Sequence, residues 1–483
     1  MPVRWIIVVA GMLIPTLTIA QSPPAATLAP PSADGQRTFP ITLATALQLA
    51  SARPLDVQIA ARQVEAAAAR FDRAKFAWLP TVHVGGDYFH HDGAVQNFQG
   101  DVSRRSRSSA MAGVGANITW GVSESLFAPL AARQEWTARR ATQQAVNNDV
   151  ALAVAEAYFG VQQARGELAG ALMLVAEAEE LSRRTEQLAE GLAPPLEATR
   201  ARVELARRKQ AASTARERWR TTSAELARLL RIDPAAAIEP VEPANMPVPL
   251  IDPSYTLDDL IPVALLTRPE LQANQALVKA TLQRLREEKL RPLVPSVLIR
   301  SVSTNPSGTL GYGAFGGGSG GRLSSYSGRM DYDVQLVWEF ENLGLGNRAR
   351  AAERKAEHES AILVLFRTQD RIAAEAATAF AEATGAAERL AQAEPAIRDA
   401  ADSLNKNMEA VTQTRRVGNF TTLVVRPQEV VAAVQALAQA NTDYFAAVAD
   451  YNRAQFRLYR ALGHPARCLA GIVPAAALGA PSK

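Results

Sequence analysis

Cysteine is almost missing: Cys468 is the only one in 483 residues, so no internal disulfide holds this chain together. Aromatic residues are scarce at 6%, and alanine supplies much of the apolar count. That argues against one large aromatic core and for helices packed closely through small side chains. Neither sign of charge prevails, with a formal net charge of +4. No lysine/arginine block reaches the density that nucleic acid requires, so no DNA or RNA partner is expected. Past the first twenty residues there is no run of eighteen or more apolar residues, which leaves no candidate transmembrane helix.

Catalytic signatures are missing as well. GYGAFG (311–316) matches Gly-x-Gly-x-x-Gly, but a dinucleotide site needs a helix directly after it. Here GGSGGRLSSYSGR follows, so a flexible extracellular loop is expected. His90-His91-Asp92 is expected to face solvent in a mobile loop rather than to hold a metal. With no nucleophile–base signature and no P-loop, the chain reads as no enzyme and as needing no cofactor.

What is present begins at the N-terminus. MPVRWIIVVAGMLIPTLTIAQSPP has Arg4, an apolar stretch from Trp5 to Ile19, and the small Ala20. Residues 1–20 therefore read as a secretory signal peptide, followed by a Pro-rich segment, 21–40. The chain is expected to leave the cytoplasm. Any membrane crossing then falls to strands.

The sequence also repeats itself. RPLDVQIAARQVEAAAARFDRAKFAWLPTV (53–82) and RPELQANQALVKATLQRLREEKLRPLVPSV (268–297) align without a gap, pairing Arg53-Pro54 with Arg268-Pro269 and Pro80 with Pro295. Two copies of one unit are expected, at 41–231 and 256–463. A Pro-rich linker, 232–255, joins them, and 464–483 forms a tail. Each copy reads as a helix (42–77, 256–291), two strands, a very long helix (125–189, 347–415) and a returning helix (196–230, 423–462). Val161, Ala164, Leu168, Leu172, Val175, Ala178, Leu181, Thr185 and Leu188 step by three and four, the spacing of a coiled coil. Leu196, Val203, Ala206, Trp219, Leu226 and Leu229 form the stripe expected on the returning segment. A helix of some 65–70 residues spans ~100 Å, far more than a globular core of this size needs.

The strands answer the missing transmembrane helix. In DYDVQLVWEF (331–340), Tyr332, Val334, Leu336, Trp338 and Phe340 alternate with Asp333, Gln335 and Glu339. MAGVGANITW (111–120) alternates likewise, with Val114, Ile118 and Trp120 on one side. A membrane-spanning strand needs an apolar outside, a polar inside and aromatics at the interfaces. Trp78, Trp120, Trp338 and Phe340 stand at strand–helix junctions, where an interfacial girdle would lie. Four such strands cannot close a barrel, so several chains must pool theirs.

With these features in hand, the chain resembles the TolC-type outer-membrane factors over nearly all of its mature length. The supporting stretches are the duplication, EGLAPPLEATRARVELA (190–206), VGNFTTLVV (417–425) and YNRAQFRLYRALG (451–463). The resemblance implies a mostly α fold with a transmembrane β-barrel contribution, built from duplicated long helical hairpins and four strands per protomer. It further implies a homotrimer, an α-barrel/β-barrel channel in the outer membrane with its helices in the periplasm. The linker would form a belt. Such a duct is passive and works with a periplasmic adaptor and an inner-membrane pump. Its adaptor-docking tips would fall at Gly191, Leu192 and Ala193, and at Gly418, Asn419, Phe420 and Thr421.

Family channels often narrow at the tip with acidic side chains just after each turn. Glu197 matches that pattern, whereas Val424 and Pro427 depart from it. Arg415, Arg416 and Arg426 stand nearby, so a gate favouring neutral or anionic cargo is expected. Duct function for an efflux pump is the first expectation. Protein or polysaccharide export, or a non-conducting coiled-coil protein anchored at the surface, are its alternatives.

Overall fold

A computed structural model describes residues 38–189, 192–300, 310–417 and 420–464. The expected signal peptide, most of the Pro-rich segment and nearly all of the tail lie outside them.

The described chain runs β1 (Thr38–Ile41), α1 (Leu43–Ala50), α2 (Leu55–Lys75), β2 (Thr81–Gln96), β3 (Val102–Gly121), α3 (Val122–Leu188) and α4 (Pro195–Leu230). After β4 (Ala237–Pro240) the order recurs with α5 (Leu257–Thr267), α6 (Pro269–Leu290), β5 (Ser296–Arg300), β6 (Tyr312–Gly318), β7 (Ser325–Met330), β8 (Asp333–Val337) and α7 (Leu345–Ala410). A hairpin, β9 (Thr414–Val417) and β10 (Phe420–Leu423), precedes α8 (Pro427–Ala461). The long helices have 67 and 66 residues and the returning ones 36 and 35, which puts each long rod near ~100 Å.

The single helices expected over 42–77 and 256–291 are each two. Proline offers no N–H and drives the residue before it out of the helical region. Arg268 accordingly sits at φ −67°, ψ 123° between α5 and α6, and Pro54 is extended at φ −58°, ψ 140° ahead of α2. Thr42 caps α1 through its hydroxyl, and Thr256 with Asp259 forms a capping box on α5.

In the lower half, α4 and α8 flank α3, and α7 packs on α8. In the upper half, α2 and α6 flank α3, and α7 packs on α6. So α8 ends where α6 begins, both lying between α3 and α7. Arg268 fastens this joint. Only 1% exposed, it donates to the carbonyls of Arg460 and Ala461 at the end of α8 (3.3 and 3.4 Å), where helix carbonyls lack partners. Its guanidinium also pairs with Glu375 of α7 and with Glu270 at 3.2 Å. Arg460 meets both of these carboxylates at 3.0 Å and pairs with Asp149 of α3.

The expected linker is a strap. β4 pairs in parallel with β1, Phe39 against Ile238. The Trp219 indole donates to the Ile238 carbonyl at 2.9 Å. Asn452 of α8 accepts from the Val248 amide at 2.8 Å and donates to the Met246 carbonyl at 3.0 Å. Glu242 accepts from the first amide of α1, Leu43, at 3.0 Å and from the Tyr158 hydroxyl. Burial, then the Glu242 contact, pushes the Tyr158 phenol far above its ordinary range. Where the strap crosses, α3 and α8 come close. A Cβ at Gly166 would stand 2.6 Å from the Phe445 ring, and one at Gly170 would stand 3.2 Å from the Asn441 side chain.

The coiled-coil stripe is largely as spaced: Val161, Ala164, Leu168, Ala178, Leu181 and Thr185 are buried. Leu172, however, is exposed, and Leu174 takes the buried place. On α4, Trp219 and Leu226 are buried while Leu196 and Val203 are exposed and Ala198, Ala201 and Glu204 face inward. Small residues carry the near approach to α3, and the larger ones are left on the open side.

Replacing Arg268 by alanine should leave the α8 carbonyls without their donor and Glu270 and Glu375 with Arg460 alone, a loss of about 1.5–3 kcal/mol. Urea unfolding of the extracted protein followed by circular dichroism measures it.

Candidate functional site: the two-faced sheet and the helical tip

The main sheet has four lanes. β2 pairs with β3, β3 with the collinear β5 and β6, and these with β8 and β7. Two expectations are corrected here. GYGAFG is not a loop: it lies mostly in β6, Tyr312–Gly318, paired with β3 and β7. His90-His91-Asp92 lies within β2, paired in turn with Ser108, Arg107 and Ser106 of β3. Strand alternation sends neighbours to opposite faces, so these three residues cannot converge on one metal. Of DYDVQLVWEF only Asp333–Val337 is strand, with β7 continuing the lane one break earlier.

Register sorts the faces. Cross-strand partners share a face, which groups Val82, Val84, Val114, Ile118, Ile299, Val334 and Leu336 on one side. These are exposed or half-exposed, Val84 at 78% and Leu336 at 60%. The opposite face carries Thr81, His83, Asp87, Asn117, Arg300 and Asp333. There Arg300 and Asp333 pair at 2.7 Å, while Asp87 Oδ2, His91 Nε2 and Asn117 Oδ1 meet no protein partner. One side suits lipid; the other suits water.

The apolar side has a measurable height. Trp120, Val297 and Leu336 form one row, and extending the β2 register three residues brings Trp78 into it. Ten residues along β3, a second row joins Tyr88, Ala110, Gly316 and Tyr326. At ~3.3 Å per residue and a usual strand tilt, that is an apolar band of ~25 Å. Trp338 and Phe340 project just below the first row, exposed at 49% and 61%. The Tyr88/Tyr326 girdle was missed in the sequence because Tyr326 lies in a serine/glycine stretch. A Cβ at Gly316 would come within 2.7 Å of its ring, so the glycine makes room for that tyrosine.

Among the described residues both outer edges of the sheet are open: β2 on one side, β7 and β8 on the other.

At the far end of the helices the two tips differ. The first is a short turn into Pro195 at the first position of α4. Its Leu192 is exposed and Ala193 buried, while Gly191 lies outside the described residues. The second is not the expected reversal of two helices. α7 ends at Ala410, and β9–β10 form an antiparallel hairpin pairing Arg416 with Thr421 and Arg415 with Thr422. Phe420 and Thr421 belong to β10, whereas Gly418 and Asn419 are outside the described residues.

Of the expected gate residues, Glu197 is withdrawn into helix packing, 9% exposed. It pairs with Arg200 at 2.8 Å, and Arg200 reaches Gln428 of α8 at 3.2 Å. Arg415, Arg416 and Arg426 are exposed at the end of the rods. No group of three or more possible metal ligands occurs among the described residues. None of their helices is long and apolar enough to cross a membrane.

Residues 46–230 match the family model for outer membrane efflux proteins. A search of curated proteins gives no match. Among solved structures, the chain is similar to the outer-membrane channel OprN at 18% identity and a TM-score of 0.67, over 87% of this chain and 89% of that one. It is similar to the Campylobacter jejuni CmeC outer membrane channel at 14% identity and a TM-score of 0.67, over 87% and 85%. It is also similar to the open state of the Neisseria gonorrhoeae MtrE outer membrane channel, at 17% identity and a TM-score of 0.66, over 88% and 89%. The family match covers most of the first repeat, and the shared fold extends over most of the chain.

The faces predict an asymmetry. Val84→Arg on the apolar side, near mid-height of the band, should destabilise the membrane-folded state by ~2–4 kcal/mol, while His83→Arg beside it should change little. Urea titration of the protein folded into vesicles, read by tryptophan fluorescence, compares the two.

Proposed function

We propose that this chain, which carries an outer membrane efflux protein domain on the fold of outer-membrane channels, works as a homotrimeric exit duct. Four lanes from each of three copies close one β-barrel in the outer membrane. The helices form a hollow periplasmic cylinder. Small molecules such as drugs or solvents leave through it passively, driven by an inner-membrane pump joined through a periplasmic adaptor at the tips. Leu192 and the hairpin carrying Phe420 and Thr421 are where the adaptor would dock.

The observation that carries this reading is the sheet itself. It is apolar over a bilayer's height on one face and polar on the other, with open edges that lipid does not tolerate. A surface-anchored coiled coil needs no polar inner face. At the entrance, Arg415, Arg416 and Arg426 would form the gate; no acidic residue occurs between Ala410 and Gln428. Neutral or anionic cargo suits such an entrance.

Purified protein should cross-link as a trimer and give discrete conductance steps in a planar bilayer. Monomeric, non-conducting material would overturn the duct. In a salt gradient the reversal potential should sit toward anion permeation, and changing Arg415, Arg416 and Arg426 together to glutamine should move it toward cations. Strong cation selectivity of the unaltered protein would remove the gate assignment while leaving the duct intact.

A further inference from the structure

The β2–β3 hairpin runs past the outer girdle. Lanes three and four end at Gly318 and Ser325, level with Ser108 and Ser109, whereas Val102–Arg107 of β3 pair with β2 alone. Six residue pairs therefore stand beyond the rest of the sheet, ~20 Å of ribbon. The apolar alternation stops abruptly at the Tyr88/Tyr326 row. Above it the same outward side carries His90, Asp92, Ser106 and Arg104. His90 meets Ser108 at 3.0 Å, Arg104 is 81% exposed with Asp92 3.5 Å away, and Arg322 is exposed in the β6–β7 turn at the same level. Beyond the girdle stand four arginines (104, 105, 107 and 322) against Asp92 and Asp101.

We infer that Arg104 and Arg322, with the polar side chains around them, form a collar that binds the phosphate groups of lipids in the leaflet facing the outer girdle. The inference rests on the reading that the sheet spans a membrane. Its ligand is a lipid headgroup, not free phosphate. Position argues for this. The girdle's phenols mark where the hydrocarbon ends; Arg104 stands six residues above that row, and its guanidinium is drawn back to within 3.5 Å of Asp92, four residues and ~10 Å above it, toward headgroup depth. A guanidinium there presents a planar donor fork that matches phosphate oxygens. Arg105 and Arg107, by alternation, face the polar side and see no lipid. Simple net charge would not distinguish the two pairs. The facing does.

The test uses the full mature chain in detergent micelles, with phosphatidylglycerol and phosphatidylcholine as probes and bound lipid counted by native mass spectrometry. The unaltered protein should hold phosphatidylglycerol preferentially. Arg104→Gln with Arg322→Gln should weaken that binding roughly tenfold or more, whereas Arg105→Gln with Arg107→Gln should leave it within about twofold. Arg104→Lys should keep part of it, which separates charge from misfolding; circular dichroism and oligomer mass check the fold of each variant. Equal loss in both double variants, no loss in either, or full displacement by millimolar inorganic phosphate each overturns the collar. Failure of the unaltered chain to float with vesicles would instead overturn the membrane reading, so the two failures are told apart.

Discussion

Everything in this architecture answers to the unpaired backbone along the two edges of one sheet. On β2 and on β7/β8, every second residue turns its N–H and C=O away from the sheet, toward no partner strand among the described residues. In water such an edge is merely exposed. In hydrocarbon each unsatisfied group costs several kcal/mol. The outward side chains, Val82, Val84, Val334 and Leu336 among them, call for hydrocarbon all the same. Lipid on the face and open edges at the sides are compatible only if another strand meets each edge. Shared barrel walls follow from backbone chemistry before any family likeness is considered. The helices point the same way, since Ile59, Leu126, Leu172 and Phe366 remain exposed along them among the described residues, apolar surface that a second copy would cover in the proposed trimer.

Rods ~100 Å long must not buckle where shorter helices meet end to end. Arg268 solves this at the α8–α6 joint by placing a cation against the carbonyl end of one helix and two carboxylates of its neighbours. The favourable helix-dipole term and the hydrogen bonds act together there. The strap solves it again from the side. Glu242 holds the start of α1 and Tyr158 of α3, and Asn452 holds the strap to α8. Gly166 and Gly170 let Phe445 and Asn441 seat against α3, so the helices approach closely where the strap passes over them.

Length, repeat and alternation made the rods and the sheet legible, because each is a periodic signal over many residues. Trp120 and Leu336 could be assigned to a face from alternation alone. What escaped was aperiodic or borrowed from a distant partner. β6 is strand because β3 and β7 flank it, although its own glycines read as loop. Leu172 fits a heptad stripe by spacing, yet the local turn of α3 presents Leu174 instead. Arg268 looked like punctuation before a proline; only the meeting of α5, α7 and α8 around it makes it a joint. The Arg-Pro break itself was readable in both copies and was smoothed over by the periodicity around it.

The two tips bring these lines together, since the duplication leaves the rods equal and the ends unequal. At the first tip the α4 N-terminus receives Glu197 in its first turn, where a carboxylate is favoured by the helix dipole, and packing hides that charge. At the second, Arg426 occupies the N-cap of α8, where a cation is disfavoured, with Glu429 in the first turn as the local offset. Arg415 and Arg416 extend the same sign outward along the hairpin. Positive ends of a helix and positive side chains therefore add rather than cancel. Clustered charge of one sign at the end of a cylinder raises the local concentration of opposite charge. In the proposed duct, anions or acidic groups of a partner would lower the energy of this tip.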